Sequence, residues 1–585
     1  MTTDTVVEVP PGENRPAPSG AHPAPRQQVG LRIIAQDPSV HGPDQRIVTA
    51  KASVPAARLE DGPRSPRFAV VDYDVSTATL FPAAKLPSDD DRFALADDKT
   101  LCTDFAFHAQ QVYAVAARTL ATFEFALGRR LPWGFAGHQL YLVPHAFSEA
   151  NAYYSFDDRA LLFGYVPGGD EPDIYTCLSH DVVAHETTHA VLDGLRHRFL
   201  EPGLPDQAGF HEGFADIVAL LSVFSLPVVV EVCLDPTTTG RLSRLNIERD
   251  ALRKNVLTGV AEQLGDVLTQ GRGALRQSGF RQPPSNWREL PEYQEPHRRG
   301  EVLVAIVLEV LLDIWTRRME ALLSPGRGRA PRTVDRARAA EEGAKAATHL
   351  LTMLIRGLDY LPPVEFEFAD LLDAVILADA EVAPDDQLRY REALLDQFAR
   401  FGIERRPGVR HDLVAGNVAI RYGNLNFTAL RTAGDEVFRF IWENADTLDI
   451  DTSYYTHVEA VLPSERVGPD GLVVRESVAS YVQILELTAA ELTDRCEEPL
   501  PAAVEPATKL KIFGSGTLVF DQFGRAKFHI AKPLGDWRRQ AERVKHLHDG
   551  GFYDRSGRLG FSYAGAAGQV FAELHSAGSG SGEVW

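Results

Sequence analysis

The chain has 585 residues, of which 44% are hydrophobic and 24% are charged, and its formal net charge is -21. This length exceeds one ordinary hydrophobic core, so two or three domains of a soluble globular protein are expected. The negative charge argues against nucleic acid or an anionic membrane as the main partner, because both bind cationic surfaces.

The cysteines and the first residues bear on the compartment. Four cysteines stand far apart without a C-x-x-C pair, which indicates isolated reduced thiols. An acid stands near Met1 where a signal peptide carries basic residues, and no apolar segment follows. We therefore expect a cytoplasmic protein, with secretion by a non-classical route as the alternative.

The first hundred residues divide into two parts. Residues 1 to 30 are rich in Pro, Gly, Ala and Arg without periodicity, which is typical of a disordered tail. Residues 31 to 100 alternate short β-branched runs with Pro and Gly and predict an N-terminal β segment. This segment is either the first strands of the following lobe, which we favour, or a retained inhibitory segment.

A helix and a strand follow. Residues 104 to 127 predict a helix that ends at Gly128, and residues 139 to 144 predict a strand that leads toward Asn151. Taken alone, Asn151 fits a turn before a hairpin.

Residues 181 to 191 predict a helix with an H-E-x-x-H motif, formed by His185, Glu186 and His189. The i, i+4 spacing places both imidazoles on one helix face, where they can bind one metal ion. Glu186 lies beside such a metal and is the candidate general base. The competing interpretation is a chance motif in a chain with 18 histidines.

A second helical stretch, residues 210 to 216, supplies the acids that a metal site needs. Catalytic zinc takes three protein ligands and keeps one position open. Glu212, at the start of this helix, has the chemistry and reach of the third ligand. Asp216 follows one turn later and can accept the outer N–H of a ligating histidine.

A buried helix is predicted over residues 301 to 315, which are apolar nearly all round, and His297 precedes it. In isolation His297 fits a helix cap as well as it fits a cleft residue. With the metal helices in place, a side chain that points into the cleft is the better explanation. Glu292 or Glu295 would orient it, and the sequence does not choose between them.

The remaining sequence has no motif of fixed spacing. Residues 324 to 332 form a basic loop. Three amphipathic helices are predicted after it, over residues 344 to 358, 368 to 380 and 385 to 401. Further strands are expected over residues 418 to 422, 455 to 462 and 472 to 475, with a hairpin over 516 to 530. This last region is a separate domain, a lid or a wrap around the other lobes.

Four motifs, in this order along the chain, resemble those of the thermolysin family of neutral zinc metalloendopeptidases. N-A-Y-Y at residues 151 to 154, followed by L-F-G at 162 to 164, is similar to the family's substrate strand and the strand after it. The segments at 181 to 191 and 211 to 216 resemble its zinc helix and its glutamate-ligand helix. H-R-R-G at 297 to 300 has the order and context of its catalytic histidine.

The resemblance covers about residues 100 to 403 and implies a zinc site with named roles. Zinc would be held by His185, His189 and Glu212, with Glu186 as the general base and His297 as the oxyanion donor. The resemblance and the residue chemistry also indicate two further roles. Substrate binding, largely through main-chain atoms, is expected of Asn151, Ala152 and Tyr153. Outer contacts to the metal ligands are expected of Asp216, His211 and Asp181.

The chain departs from the family pattern in four places. The spacing between the two metal helices is longer by a few residues. The oxyanion-assisting tyrosine has no match, and His197 or Arg198 is the alternative. His211 replaces an asparagine and either orients a ligand, which we favour, or competes for the metal. The calcium-liganding acids are replaced by V-F-S-L, and only Asp181 matches, so calcium stays an unsupported alternative.

The sequence therefore predicts an α+β protein, a thermolysin-like two-lobe metallopeptidase with an extra α+β C-terminal region. The expected parts are a tail (1 to 30), a β segment (31 to 100), a catalytic lobe (101 to 230), a helical lobe (231 to 403) and an accessory region (404 to 585).

The expected function is hydrolysis of a peptide or protein substrate by zinc-activated water. An aminopeptidase of the same wider gluzincin group is disfavoured, because the G-x-M-E-N strand of that group is missing. A pseudo-peptidase that acts as a binding scaffold is the third alternative. Substrate side-chain preference and oligomeric state are not predicted.

Overall fold

The computed structural model of the protein is mixed α+β. It describes residues 28–55, 59–85, 91–168, 173–201, 203–234, 240–256, 282–323, 333–405, 412–414, 416, 418–496 and 500–550. The predicted tail, apart from its last three residues, and the basic loop at 324 to 332 lie outside these ranges. Among the described residues, no helix is long and apolar enough to cross a membrane.

The N-terminal segment packs on a long helix. The long helix is α2 (Phe105–Leu127). The segment before it contains β1 (Gln28–Ile34), β2 (Thr49–Pro55), β3 (Phe68–Val70), β4 (Tyr73–Asp74), β5 (Thr79–Leu80) and α1 (Asp98–Thr103). The Asp104 side chain accepts from Ala106 N–H at the start of α2, and Gly128 ends the helix with a φ of 68°. Glycine adopts this left-handed conformation without strain, which explains where α2 ends.

A mixed sheet forms the centre of the first lobe. Its further strands are β6 (Leu140–Phe147), β7 (Ala152–Ser155), β8 (Ala160–Val166) and β9 (Ile174–Tyr175). The order is β3-β6-β8-β7, with β9 also paired to β8. β3 and β8 run parallel to β6, and β7 is antiparallel to β8. Part of the N-terminal segment is thus built into this sheet, and β7 forms its edge among the described strands.

Helices cover the sheet and continue into a helical region, the helical lobe, which shares one hydrophobic core with the sheet. They are α3 (His180–Leu195), α4 (Pro205–Phe224), α5 (Pro227–Val232), α6 (Arg249–Val256), α7 (Pro296–Leu322), α8 (Arg336–Gly357), α9 (Phe368–Val382) and α10 (Tyr390–Arg400), with the small strands β10 (Arg241–Ser243) and β11 (Thr333–Asp335). α8 begins eight residues before the predicted start at 344, because Asp335 caps it by accepting from Arg338 N–H.

α4 and α7 meet at two glycines. A Cβ on Gly213 would lie 2.7 Å from the Gly300 carbonyl oxygen, and a Cβ on Gly300 would lie 2.7 Å from the Gly213 nitrogen. Only glycine at both positions allows this close approach. The contact brings Glu212, the neighbour of Gly213, next to the start of α7.

The C-terminal region is an antiparallel sheet with short helices. Its elements are α11 (Gly434–Glu443), α12 (Ala445–Leu448), β12 (Tyr455–Val467), β13 (Val473–Thr488), α13 (Ala489–Thr493), β14 (Lys509–Asp521), β15 (Ala526–Lys532) and α14 (Trp537–Asp549). The strand order is β12-β13-β14-β15. The predicted strand at 418 to 422 is wrong: the Arg421 main chain bonds the Asn444 side chain in place of a neighbouring strand.

Buried ion pairs attach this C-terminal sheet to the helical lobe. The fully buried Asp359 carboxylate forms ion pairs with Arg129, at 2.6 Å, and with Arg466 of β12. Arg466 also forms an ion pair with Glu476 of β13, at 2.8 Å. Burial alone raises the pKa of Asp359, but the two arginines outweigh it and hold the pKa at about 2. Further contacts join Arg543 to Glu365 and Lys532 to Glu367 and Asp370. The C-terminal region is therefore docked on the segment from 359 to 370.

Candidate metal centre

α3 presents the two histidines of the H-E-x-x-H motif on one face. The Nε2 atoms of His185 and His189 lie 2.9 Å apart. His189 is fully buried and the side chain of His185 is 12% exposed. The imidazoles thus meet at a largely buried position, where the His185 side chain keeps some exposure.

Glu212 of α4 completes a set of three ligand groups. Its Oε2 lies 3.7 Å from the Nε2 atom of each histidine, and the ligand atoms all lie within 4.8 Å of one another. Tetrahedral zinc with bonds of 2.0–2.2 Å needs ligand atoms about 3.4 Å apart. The residues therefore fit a zinc ion after shifts of about half an ångström.

The position of Glu212 within its helix differs from the prediction. α4 begins at Pro205, which has the φ angle of a first helical residue, so Glu212 lies in the third turn and does not open the helix. The segment between α3 and α4 contains a short 3-10 helix, His197–Leu200. The longer spacing leaves both metal helices in contact.

The outer nitrogens of both histidines have polar partners. His185 Nδ1 lies 2.8 Å from Asp216 Oδ1, and His189 Nδ1 lies 2.9 Å from His211 Nδ1. Burial lowers the pKa of His185, but Asp216 outweighs this and the pKa rises to about 10. Both imidazoles are thereby oriented with Nε2 toward Glu212, an arrangement that suits metal ligation.

Glu186 points toward the edge strand. Its Oε2 accepts from the Tyr154 backbone N–H at 3.1 Å, and the residue is 2% exposed. The Tyr154 hydroxyl donates to Asp193 Oδ2 at 2.8 Å, and Asp193 Oδ1 lies 2.6 Å from His197 Nδ1. These bonds tie β7 to α3, with the Glu186 carboxylate between the strand and the metal ligands.

The sequence assigned no role to Tyr154 or Asp193. Asp193 lies one turn after His189, on the same helix face, so the i, i+4 spacing was an available signal. Tyr154 was visible only as part of the N-A-Y-Y motif.

The predicted substrate residues occupy the start of β7. The Asn151 carbonyl accepts from Gly164 N–H of β8 at 2.7 Å, so the main chain of Asn151 faces the sheet. Alternation then directs the main-chain groups of Ala152 and Tyr154 toward the outer edge. The Asn151 side chain accepts from Ala152 N–H at 2.8 Å, and Tyr153 is half-buried against Phe147.

His297 lies at the start of α7, beside the metal ligands. Its Nε2 is 3.4 Å from Glu212 Oε2, and its Nδ1 is 2.7 Å from Glu295 Oε1. Glu295 also caps α7 by accepting from the backbone N–H groups of His297 and Arg298. Burial lowers the pKa of His297, but Glu212 and Glu295 raise it to about 9. Glu295, rather than Glu292, is thus the orienting acid.

Two other predicted residues have contacts of a different kind. Asp181 accepts from Ser179 Oγ at 2.5 Å and from Val182 N–H at 2.9 Å, which stabilises the start of α3. Arg198, considered as an oxyanion donor, contacts Glu201 and Glu459. Arg198 therefore links the 3-10 helix to β12, and these contacts give it a structural role.

Neither a protein-family model nor a curated protein sequence matches this chain.

Proposed function

We propose that the protein is a zinc-dependent metalloendopeptidase with a thermolysin-like arrangement of its first two lobes. One observation carries the proposal: His185, His189 and Glu212, from two helices, place their ligand atoms within 4.8 Å of one another. Two histidines and one glutamate are a ligand set of catalytic zinc in peptidases. Glu186, which follows His185 on α3, and His297, whose Nε2 lies 3.4 Å from Glu212, have the chemistry that peptide hydrolysis needs.

Glu186 is the proton carrier of the proposed reaction. A zinc ion bound here supplies Lewis-acid activation of water and of the scissile carbonyl. Glu186 accepts the proton of the attacking water and then delivers it to the leaving amine. The Tyr154 N–H bond at 3.1 Å holds the carboxylate at one position during both transfers. Glu186 needs no metal bond for this role, because its neighbours on α3 are the ligands.

His297 stabilises the negative charge that develops on the carbonyl oxygen. Glu295 lies 2.7 Å from its Nδ1, which fixes the ring, and a carboxylate at this position favours the protonated imidazole. A charged donor that is already in place costs no reorganisation during the reaction. Glu295 acts as a positioning residue for His297.

The edge of β7 provides the substrate platform. An extended peptide that adds to this edge as a further strand exchanges main-chain hydrogen bonds with it. The N–H groups of Ala152 and Tyr154 on that edge donate to the Asn151 side chain and to Glu186, so a bound peptide would exchange with these bonds. Binding through main-chain atoms does not need a free substrate terminus, which favours an endopeptidase over an aminopeptidase.

The test compares hydrolysis with zinc content in the full chain. The substrate is an internally quenched peptide library with blocked ends. We expect cleavage that a chelator stops and zinc restores. Glu186→Gln should keep one zinc at the site and lose about 10²- to 10⁴-fold in kcat/KM. Glu341→Gln, which changes an exposed ion pair with Arg338, is the matched control and should keep full activity.

Two outcomes would contradict the proposal. A zinc-loaded protein that cleaves no peptide would indicate the scaffold alternative. Cleavage restricted to peptides with free N-termini would indicate an aminopeptidase.

A further inference from the structure

A second group of ligand-type side chains is buried in the first lobe. His108 lies on α2, His145 lies on β6, and Cys177 lies in the 3-10 helix Thr176–Leu178 that leads into α3. All three are at most 1% exposed, and their ligand atoms lie within 4.8 Å of one another. The proposed peptidase reaction uses none of them.

The outer nitrogen of each histidine has an acceptor. His145 Nδ1 lies 2.9 Å and 3.0 Å from the two carboxylate oxygens of Asp72. His108 Nε2 lies 3.0 Å from the Cys102 carbonyl oxygen. An acceptor at these positions places the imidazole proton on the outer nitrogen and leaves a lone pair on the inner one.

The two inner nitrogens face each other. His108 Nδ1 and His145 Nε2 lie 2.8 Å apart, with the Cys177 thiol within 4.8 Å of both. Two lone pairs at this distance repel each other unless the nitrogens share a cation. That cation is either an extra proton, which fits at 2.8 Å, or a metal ion, which fits once the nitrogens move apart by about half an ångström.

The first metal centre has the same arrangement. There the inner nitrogens of His185 and His189 are 2.9 Å apart, and a carboxylate holds the outer nitrogen of His185. In both groups the outer nitrogens are held, the inner nitrogens converge, and an anionic ligand type lies beside them. The difference is the third ligand, which is a thiol in the second group and a carboxylate in the first.

We propose that His108, His145 and Cys177 form a second metal site, which binds a thiophilic divalent ion. Two imidazoles and one thiolate suit zinc or copper(II) and do not suit calcium or magnesium. The dication, the Cys177 thiolate and the Asp72 carboxylate sum to zero charge. A buried site needs this balance, because an isolated charge away from water is costly.

The surroundings of the site indicate a structural role. The Phe105 ring stacks on His145 at 4.0 Å between centroids, and the Tyr175 ring lies 4.6 Å from that of His108. An ion enclosed by these rings has little room for a substrate. It would instead join α2, β6 and the turn before α3, and so fix where the helix with His185 begins.

The test uses cobalt as a spectroscopic probe in the full chain. The chain is stripped with a chelator and refilled with Co²⁺. A cobalt–thiolate bond gives a charge-transfer absorption in the near ultraviolet, which a site of two histidines and one glutamate cannot give. We expect two cobalt ions per chain and this absorption. His189→Ala should lose one ion and keep the absorption, so this result does not depend on the peptidase proposal.

Cysteine variants identify the sulfur ligand. Cys177→Ser should lose the absorption and one ion, whereas Cys233→Ser, at another buried thiol, should keep both. Absence of the absorption in the intact protein, or its persistence in Cys177→Ser, would overturn the proposal.

A measurement on the unmodified protein covers the case in which Cys177→Ser does not fold. The zinc-loaded protein should show an average of half a sulfur neighbour per zinc at about 2.3 Å in X-ray absorption. A shell without sulfur would also overturn the site. The metal content of protein purified from cells that were grown with both zinc and copper then shows which of the two ions this site binds.

Discussion

Asp216 should set the zinc affinity of the first centre without touching the ion. Its Oδ1 lies 2.8 Å from His185 Nδ1, and its side chain is 35% exposed. Loss of such an outer partner typically weakens metal binding 10- to 100-fold, or about 1.4 to 2.7 kcal/mol. Water can replace the exposed carboxylate, and His189 keeps its own partner, His211. We therefore expect Asp216→Ala to weaken binding about tenfold, at the lower end of this range.

The affinity is measured by competition between the protein and a chromophoric zinc chelator at fixed pH. Asp216→Asn keeps an oxygen acceptor for the His185 N–H and should lose less than Asp216→Ala. Asp396→Ala, at an exposed position on α10, is the matched control and should bind zinc like the unmodified chain. Equal affinity of Asp216→Ala and the unmodified chain would show that Asp216 does not orient a zinc ligand.

Three further predictions concern catalysis, helix packing and acid stability. His297→Gln should lower kcat about 10²- to 10³-fold with little change in zinc content, and a smaller loss would remove it as the oxyanion donor. Gly300→Ala should separate α4 from α7 and lower kcat/KM about 100-fold in a folded protein; near-normal hydrolysis would show that their close contact is unimportant. Asp359 has a pKa of about 2 in the folded protein and about 3.9 in the unfolded chain, so its ionised form stabilises the fold above about pH 4. This stabilisation is lost as the pH falls from about 4 through the folded pKa of about 2. Urea denaturation should show a loss of about 2 to 3 kcal/mol between pH 5 and pH 2 that Asp359→Asn lacks, and an identical pH profile in that variant would refute the assignment.

The sequence predicted what depends on local spacing. The ends of α2 followed from Asp104 and Gly128, and the mixed α+β class followed from the alternation of strand and helix patterns. The i, i+4 spacing likewise places His185 and His189 together, and one further helix turn separates Glu212 from Asp216. These features need only the geometry of one helix, so one chain segment is enough to predict them.

Features that depend on tertiary packing were not predictable in this way. His108 and His145 are 37 residues apart, and only the contact between α2 and β6 brings their rings together. The choice of Glu295 over Glu292 depends on the helix cap at the start of α7. Residues 418 to 422 have strand-forming composition, but among the described residues no strand pairs with them, and the Asn444 side-chain amide bonds the Arg421 main chain.

The docking of the C-terminal sheet imposes an order of assembly. Asp359 and Glu365 are synthesised well before Arg466 and Arg543, the cations that lie against them in the folded protein. Asp359 can pair with Arg129, which is made earlier, but the cations that act on Glu365 are Arg543, Arg539 and Lys532 of the C-terminal region. Burying Glu365 before they arrive costs several kcal/mol. The helical lobe therefore reaches its final packing around Glu365 only after residue 543 has left the ribosome.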